Sequence, residues 1–198
     1  MPAATGLLLA AGVGRRMGTP KALLRDDAGV SFLARSVDVL VQGGCVDVVV
    51  VLGAQAADAK ALLTQSHPDP SLRVVVAEDW AEGMGASLRA GLAELAGAAP
   101  VTTCALVSLV DLPDVGPAVV RRVLARLGSR PDVLGRAWYD GVPGHPTLLG
   151  RDHWTGIVDT ARGDRGARDY LAEHPPVLVE CGDLATGRDV DTADDLRL

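Results

Sequence analysis

Strand-like and helix-like patterns alternate along most of this chain. Residues 6–11 (GLLLAA), 46–52 (VDVVVVL), 72–77 (LRVVVA) and 104–110 (CALVSLV) are short apolar runs. Between them, residues 32–42, 56–64 and 87–95 carry apolar side chains at three- and four-residue steps. The runs fit strands buried on both faces, and the steps fit amphipathic helices. Ser31 stands where the first helix needs an N-cap, and Gly43 and Gly44 where it needs a stop. The βαβαβαβ rhythm predicts an α/β fold with one doubly wound, mostly parallel, Rossmann-like sheet and right-handed crossovers.

After residue 130 the rhythm loosens. Residues 132–138 and 177–180 predict strands, while 165–173 and 192–196 predict helices, the last capped by Thr192. Pro143 and Pro146 break the pattern between them. No repeat, low-complexity tract or linker divides the chain, so residues 1–198 are expected to form one domain.

Composition narrows the function classes. Hydrophobic residues make up 48% but aromatics only 3%, which suits a Val-, Leu- and Ala-built core. A net charge of −6 argues against nucleic-acid binding. No run is long and apolar enough to span a membrane, and no basic segment precedes the first apolar run as in a signal peptide. Cys45, Cys104 and Cys181 lack CxxC spacing, so buried thiols in a reducing cytoplasm are expected.

The chemistry starts after the first strand, in GVGRRMGTPK (12–21). Gly12-x-Gly14-x-x-x-Gly18 lacks the GxGxxG spacing of a dinucleotide loop, and the second strand ends without the acid such a site needs. Lys21 comes too late after Gly18 for a Walker A loop, and no hydroxyl follows it. The loop still offers glycine amides at Gly12 and Gly14, the forked donors of Arg15 and Arg16, and the point charge of Lys21, all suited to phosphate. Asp111 ends an apolar strand, and Asp191 lies in DVDTADD (189–195). Together they would make a hard oxygen site suited to Mg²⁺.

Several segments carry a resemblance. LLLAAGVGRRMGTPK (7–21) resembles the opening signature of nucleotidyltransferases with a glycosyltransferase-A-type fold. EGMGASLRAGL (82–92), LVDLPDV (109–115), GVPGHPTLLGRDHW (141–154), GDRGARDYL (163–171) and DVDTADDL (189–196) look like the molybdenum cofactor cytidylyltransferase branch of the molybdopterin-guanine-dinucleotide-synthase-like enzymes. The resemblance implies transfer of CMP from CTP, with Mg²⁺, to the terminal phosphate of molybdenum-bearing molybdopterin, with release of pyrophosphate. It implies Arg16 and Lys21 on the triphosphate, and Asp111 and Asp191 on the metal. Leu9, Ala10, Ala11 and Gly12, with Gly83, Met84 and Ser87, would line the nucleoside pocket, and a molybdenum hydroxylase would receive the product. The LAAG at 9–12, where guanylyl-transferring relatives carry LAGG, favours CTP over GTP.

On the acceptor side, His145 sits in what reads as a stiff Gly-His-Pro turn, and Arg165 and Arg168 at a helix start. Both residue types in such places serve packing or solvation as readily as binding, and the resemblance tips them towards the acceptor. Two other functions compete: a nucleotidyltransferase acting on another phosphorylated small molecule, and a non-catalytic carrier of the cofactor.

Overall fold

The computed structural model describes residues 3–14, 18–26, 28–68, 72–97 and 102–190. The predicted final helix at 192–196 lies outside these.

Four parallel strands form the first half of the sheet: β1 (Ala3–Ala10), β2 (Asp47–Leu52), β3 (Leu72–Val76) and β4 (Thr102–Leu109). Helices α1 (Phe32–Gly43), α2 (Ala56–Ser66) and α3 (Met84–Gly97) connect them. After α4 (Pro117–Leu127) come β5 (Leu134–Tyr139), β6 (Val142–Gly150), α5 (Trp154–Thr160), α6 (Arg168–Glu173) and β7 (Val177–Glu180). The strand order is β3-β2-β1-β4-β6-β5-β7, and β6 alone runs antiparallel to its neighbours. The mostly parallel, doubly wound sheet is as expected.

Strand pleating divides the core into two layers. Leu8 and Ala10 of β1, with Val48 and Val50 of β2, face α1 and α4 through Leu33, Leu40, Val120 and Val123. Their neighbours Leu7, Leu9, Val49 and Val51 face α3 and α5 through Leu88, Leu92, Trp154 and Ile157. Two apolar faces on one strand explain why the strand sequences are continuous runs rather than alternating ones. Ser31 caps α1 by accepting from the Ala34 amide, and Gly44 ends it in a left-handed conformation, φ 107°. A cap of this kind contributes about 1 kcal/mol. The cysteines are buried and unpaired, and burial pushes the Cys45 thiol up to about 12.

Three elements differ from expectation. Helix α4 went unassigned although Pro117 starts it and Gly128 follows it, with Val119, Val120 and Val123 buried. Strand β6 runs through Pro143 and Pro146, which the sequence treats as breakers. Its ladder to β4 covers only Thr147–Gly150, and the pairing with β5 shifts register between Arg136 and Trp138, opposite the prolines. A missing amide is therefore tolerated. The expected helix at 165–173 divides into a 3-10 turn (Gly163–Arg165) and α6. No described helix is long and apolar enough to cross a membrane.

Candidate active site

Strands β1 and β4 lie side by side and parallel, with Leu9 opposite Leu109. Their carboxyl ends release residues 11–14 and 110–114 on one edge of the sheet, where α/β folds bind ligands. The start of α3 closes the opposite wall. Between them is a cleft of about 570 Å³, lined by Leu9, Ala10, Ala11, Gly12 and Gly14 from the first loop. Gly83, Met84 and Ser87 line it from α3 and the turn before it, and Lys21 and Asp111 complete it. These are all the nucleotide-side residues expected from the sequence that fall among the described ones. Arg15, Arg16 and Asp191 lie outside the described residues.

Backbone constraints shape the walls. Gly14 has φ 63°, and a Cβ there would strike the Thr19 carbonyl; its own carbonyl accepts from the Gly18 amide at 2.9 Å. Lys21 opens a 3-10 turn (Lys21–Leu23) anchored by buried Ala22. Gly83, at φ 125°, lies so close to Gly163 that a Cβ would meet its carbonyl carbon at 2.6 Å. The turn before it is braced by Arg89, which donates to Glu82 and, at 2.6 Å, to the Ala161 carbonyl.

Lys21 Nζ donates to Asp111 Oδ2 at 2.7 Å, with side-chain exposures of 17% and 16%. That shielding separates the pair from ordinary surface ion pairs, which contribute little. The other carboxylate oxygen of Asp111, Oδ1, is buried with no hydrogen-bond partner among the described residues. Burial holds the Asp111 carboxyl above its ordinary value, Lys21 opposes this, and the charge of Asp189 adds to it. A buried carboxylate oxygen without a partner is costly. A hard dication with oxygen ligands would satisfy it, so the residue fits the expected Mg²⁺. The Val190 amide donates to the Asp111 carbonyl at 2.9 Å, docking the last described residues beside the strand end. No cluster of three or more metal-ligating side chains occurs among the described residues.

A second cleft of about 370 Å³ adjoins the first and shares Leu9, Met84, Leu109 and Asp164 with it. His145 and Arg165 both line it. His145 is not in a turn but within β6; its Nδ1 lies 3.3 Å from the Val107 carbonyl, and its own carbonyl accepts from the Tyr139 hydroxyl at 2.5 Å. Burial, then the charge of Arg136, hold its pKa down at about 4. Arg165 is largely exposed and bridges Asp169 at 3.2 Å. Trp154 belongs to the core, its indole N–H donating to the Leu149 carbonyl.

Sequence reasoning missed Trp80 and Asp164 in the first cleft and Arg136 in the second, where Arg168 lines the wall beside Arg165. Arg136 occupies a strand position, where no spacing distinguishes a binding arginine from a solvated one.

Comparison with known proteins agrees with this architecture. Residues 6–177 match the family model described as MobA-like NTP transferase domain. Nicotine blue oxidoreductase of Paenarthrobacter nicotinovorans is 37% identical over 206 residues, covering 99% of this chain and 96% of that protein. The crystal structure of Rv0371c from Mycobacterium tuberculosis H37Rv is 30% identical, with a TM-score of 0.78 over 98% of this chain and 95% of that one. A second structure of Rv0371c, in complex with manganese, is 29% identical with a TM-score of 0.74, over 98% of this chain and 96% of that one. With that model spanning most of the sequence, the chain belongs to the family of MobA-like NTP transferase domains.

Proposed function

We propose that this protein transfers CMP from CTP to the terminal phosphate of a molybdenum-bearing molybdopterin, with Mg²⁺, and releases pyrophosphate. The reading is carried by the shielded Lys21–Asp111 pair in a cleft that opens directly into a second, arginine-bearing one. Two adjoining compartments suit a reaction that joins two phosphorylated substrates.

A phosphate oxygen is already a nucleophile at neutral pH, so the chain need not supply a general base. Catalysis then rests on alignment and on neutralising charge. The acceptor oxygen bonds to the α-phosphorus as the bond from that phosphorus to the bridging oxygen breaks, and pyrophosphate leaves with the electron pair. Lys21, joined by Arg16 through the resemblance, takes up charge on the triphosphate. Asp111 and Asp191 would hold the Mg²⁺, which supplies positive charge to phosphate oxygens when bound. His145 and Arg165 belong to the acceptor compartment. The same resemblance supports a cytoplasmic location and delivery of the product to a molybdenum hydroxylase.

The likeness to a nicotine blue oxidoreductase favours a second reading, in which the same clefts serve an oxidation–reduction. One experiment separates the two. Pyrophosphate release is measured with Mg²⁺ and molybdenum cofactor, comparing CTP with GTP, ATP and UTP, while NADH and NADPH consumption is followed with nicotine blue. Release with CTP supports the proposal; release with GTP alone moves the protein to guanylyl transfer. Nicotinamide consumption without any pyrophosphate overturns it in favour of the second reading.

A further inference from the structure

The second cleft holds polar groups whose needs the described residues leave unmet. Arg136, on β5, donates through Nε to the Gly144 carbonyl at 2.9 Å and through Nη2 to the Pro143 carbonyl at 3.4 Å. Its remaining N–H bonds have no partner among the described residues. The nearby Arg168 has neither an ion pair nor a hydrogen bond among them. Asp164 and Asp189 line the same cleft, yet neither bridges these arginines, whereas Arg165 is already neutralised by Asp169. Burial and the charge of Arg168 both disfavour the Arg136 cation. Two guanidinium groups lining one cleft, neither bridged by a carboxylate among the described residues, form a receptor for an anion, and their forked donors match phosphate.

His145 adds direction. A carbonyl oxygen can only accept, so the contact with Val107 assigns the proton to Nδ1. Neutral imidazole then carries a lone pair on Nε2 and no proton there. Leu88, Leu149 and Leu171 supply apolar wall to the same cleft.

We infer that the second cleft selects a phosphomonoester whose phosphate is held by Arg136 and Arg168 and whose ring system donates an N–H or O–H to Nε2 of His145. This rests on the nucleotidyltransferase reading in treating that ligand as the acceptor; the pairing of anion and donor rests on the cleft itself.

The test uses the full chain. Binding of inorganic phosphate, phenyl phosphate and a pterin phosphomonoester is measured by calorimetry, and histidine ¹⁵N spectra report the His145 tautomer. Arg136→Gln should weaken all three probes at least tenfold, and Arg136→Lys should restore part of the loss. His145→Phe should weaken the pterin probe at least fivefold but phenyl phosphate less than twofold, and His145→Gln, which keeps an acceptor, should recover pterin binding. In turnover assays Arg136→Gln should raise the acceptor KM at least tenfold and leave the nucleotide KM within twofold. Circular dichroism checks that each variant folds. Equal losses for both ring-bearing probes in His145→Phe, or a bare Nδ1, overturn the donor assignment. Unchanged binding in Arg136→Gln overturns the anion site. Should pyrophosphate never form while the binding pattern holds, the nucleotidyltransferase reading fails and the cleft assignment stands.

Discussion

Lys21 and Asp111, ninety positions apart in sequence, meet at 2.7 Å on the carboxyl edge of the sheet. The contact joins the first loop to the end of β4 and leaves Asp111 Oδ1 facing no described donor. One oxygen is thus committed to holding the lysine, and the other is available to a cation. The pair links the loop proposed to take phosphate to the strand end proposed to take metal.

Lys21→Met and Asp111→Asn should each lower pyrophosphate release by about 10²–10³-fold, the scale of losing one preorganised electrostatic group. Far-ultraviolet circular dichroism should stay unchanged. Either variant keeping a tenth or more of wild-type turnover would remove that residue from the mechanism.

Metal dependence should carry the signature of Asp111. Its folded pKa is raised, so protons compete with a cation there from a pH above the ordinary 3.8. Above the folded pKa its ionisation costs the metal-free fold stability; as pH falls from there that cost fades, and it is gone below the ordinary 3.8. Added Mg²⁺ should therefore raise the melting temperature more at pH 8 than near the ordinary carboxylate value of 3.8, and the difference should shrink in Asp111→Asn. EDTA should abolish turnover, and Mg²⁺ or Mn²⁺ should restore it. Full activity in EDTA would remove the metal from the reaction.

The first half of the fold was legible because each strand there is buried on both faces and each helix on one, so burial is written directly into residue type. Ten expected nucleotide-side residues meet in one cleft for the same reason: a parallel sheet gathers its carboxyl ends on one edge. The second half was less legible. Strand β6 hides behind Pro143 and Pro146, whose tolerance depends on a register shift in the neighbouring strand. Arg136 was missed because its significance lies in what fails to pair with it, and that is a property of three-dimensional neighbours.

The seating of α3 against the sheet rests on glycine. A Cβ at Gly91 would approach Leu7 Cδ1 at 2.5 Å and Val51 Cγ2 at 3.0 Å, while one at Gly97 would meet nothing within 4 Å. Gly91→Ala should cost about 1–3 kcal/mol through overpacking. Gly97→Ala should be neutral, or stabilising by up to about 1 kcal/mol through helix propensity. Urea unfolding of both variants measures the contrast, and equal midpoints would mean α3 is not held at this distance. Because α3 carries Met84 and Ser87 into the first cleft, Gly91→Ala should also raise the nucleotide KM.

His145 should give the folded protein a sensitivity to acid. In the fold its pKa is held at about 4, against 6.5 for an ordinary histidine. Between these values the unfolded chain binds the proton more readily, so stability falls as pH drops through that window and is fully present above 6.5. That separation corresponds to roughly 3 kcal/mol at most, since each unit is about 1.4 kcal/mol. His145 keeps partial exposure to the second cleft, and water there reduces the effect to on the order of 1–2 kcal/mol. Urea unfolding at pH 7.5 and pH 5.0 should show this loss in the wild type, and His145→Gln should remove it. The remaining histidines are common to both proteins and cancel in the comparison. Equal losses in the two would mean that His145 titrates in the fold as it does in the open chain, and so carries a charge that would add to Arg136 instead of accepting a donor.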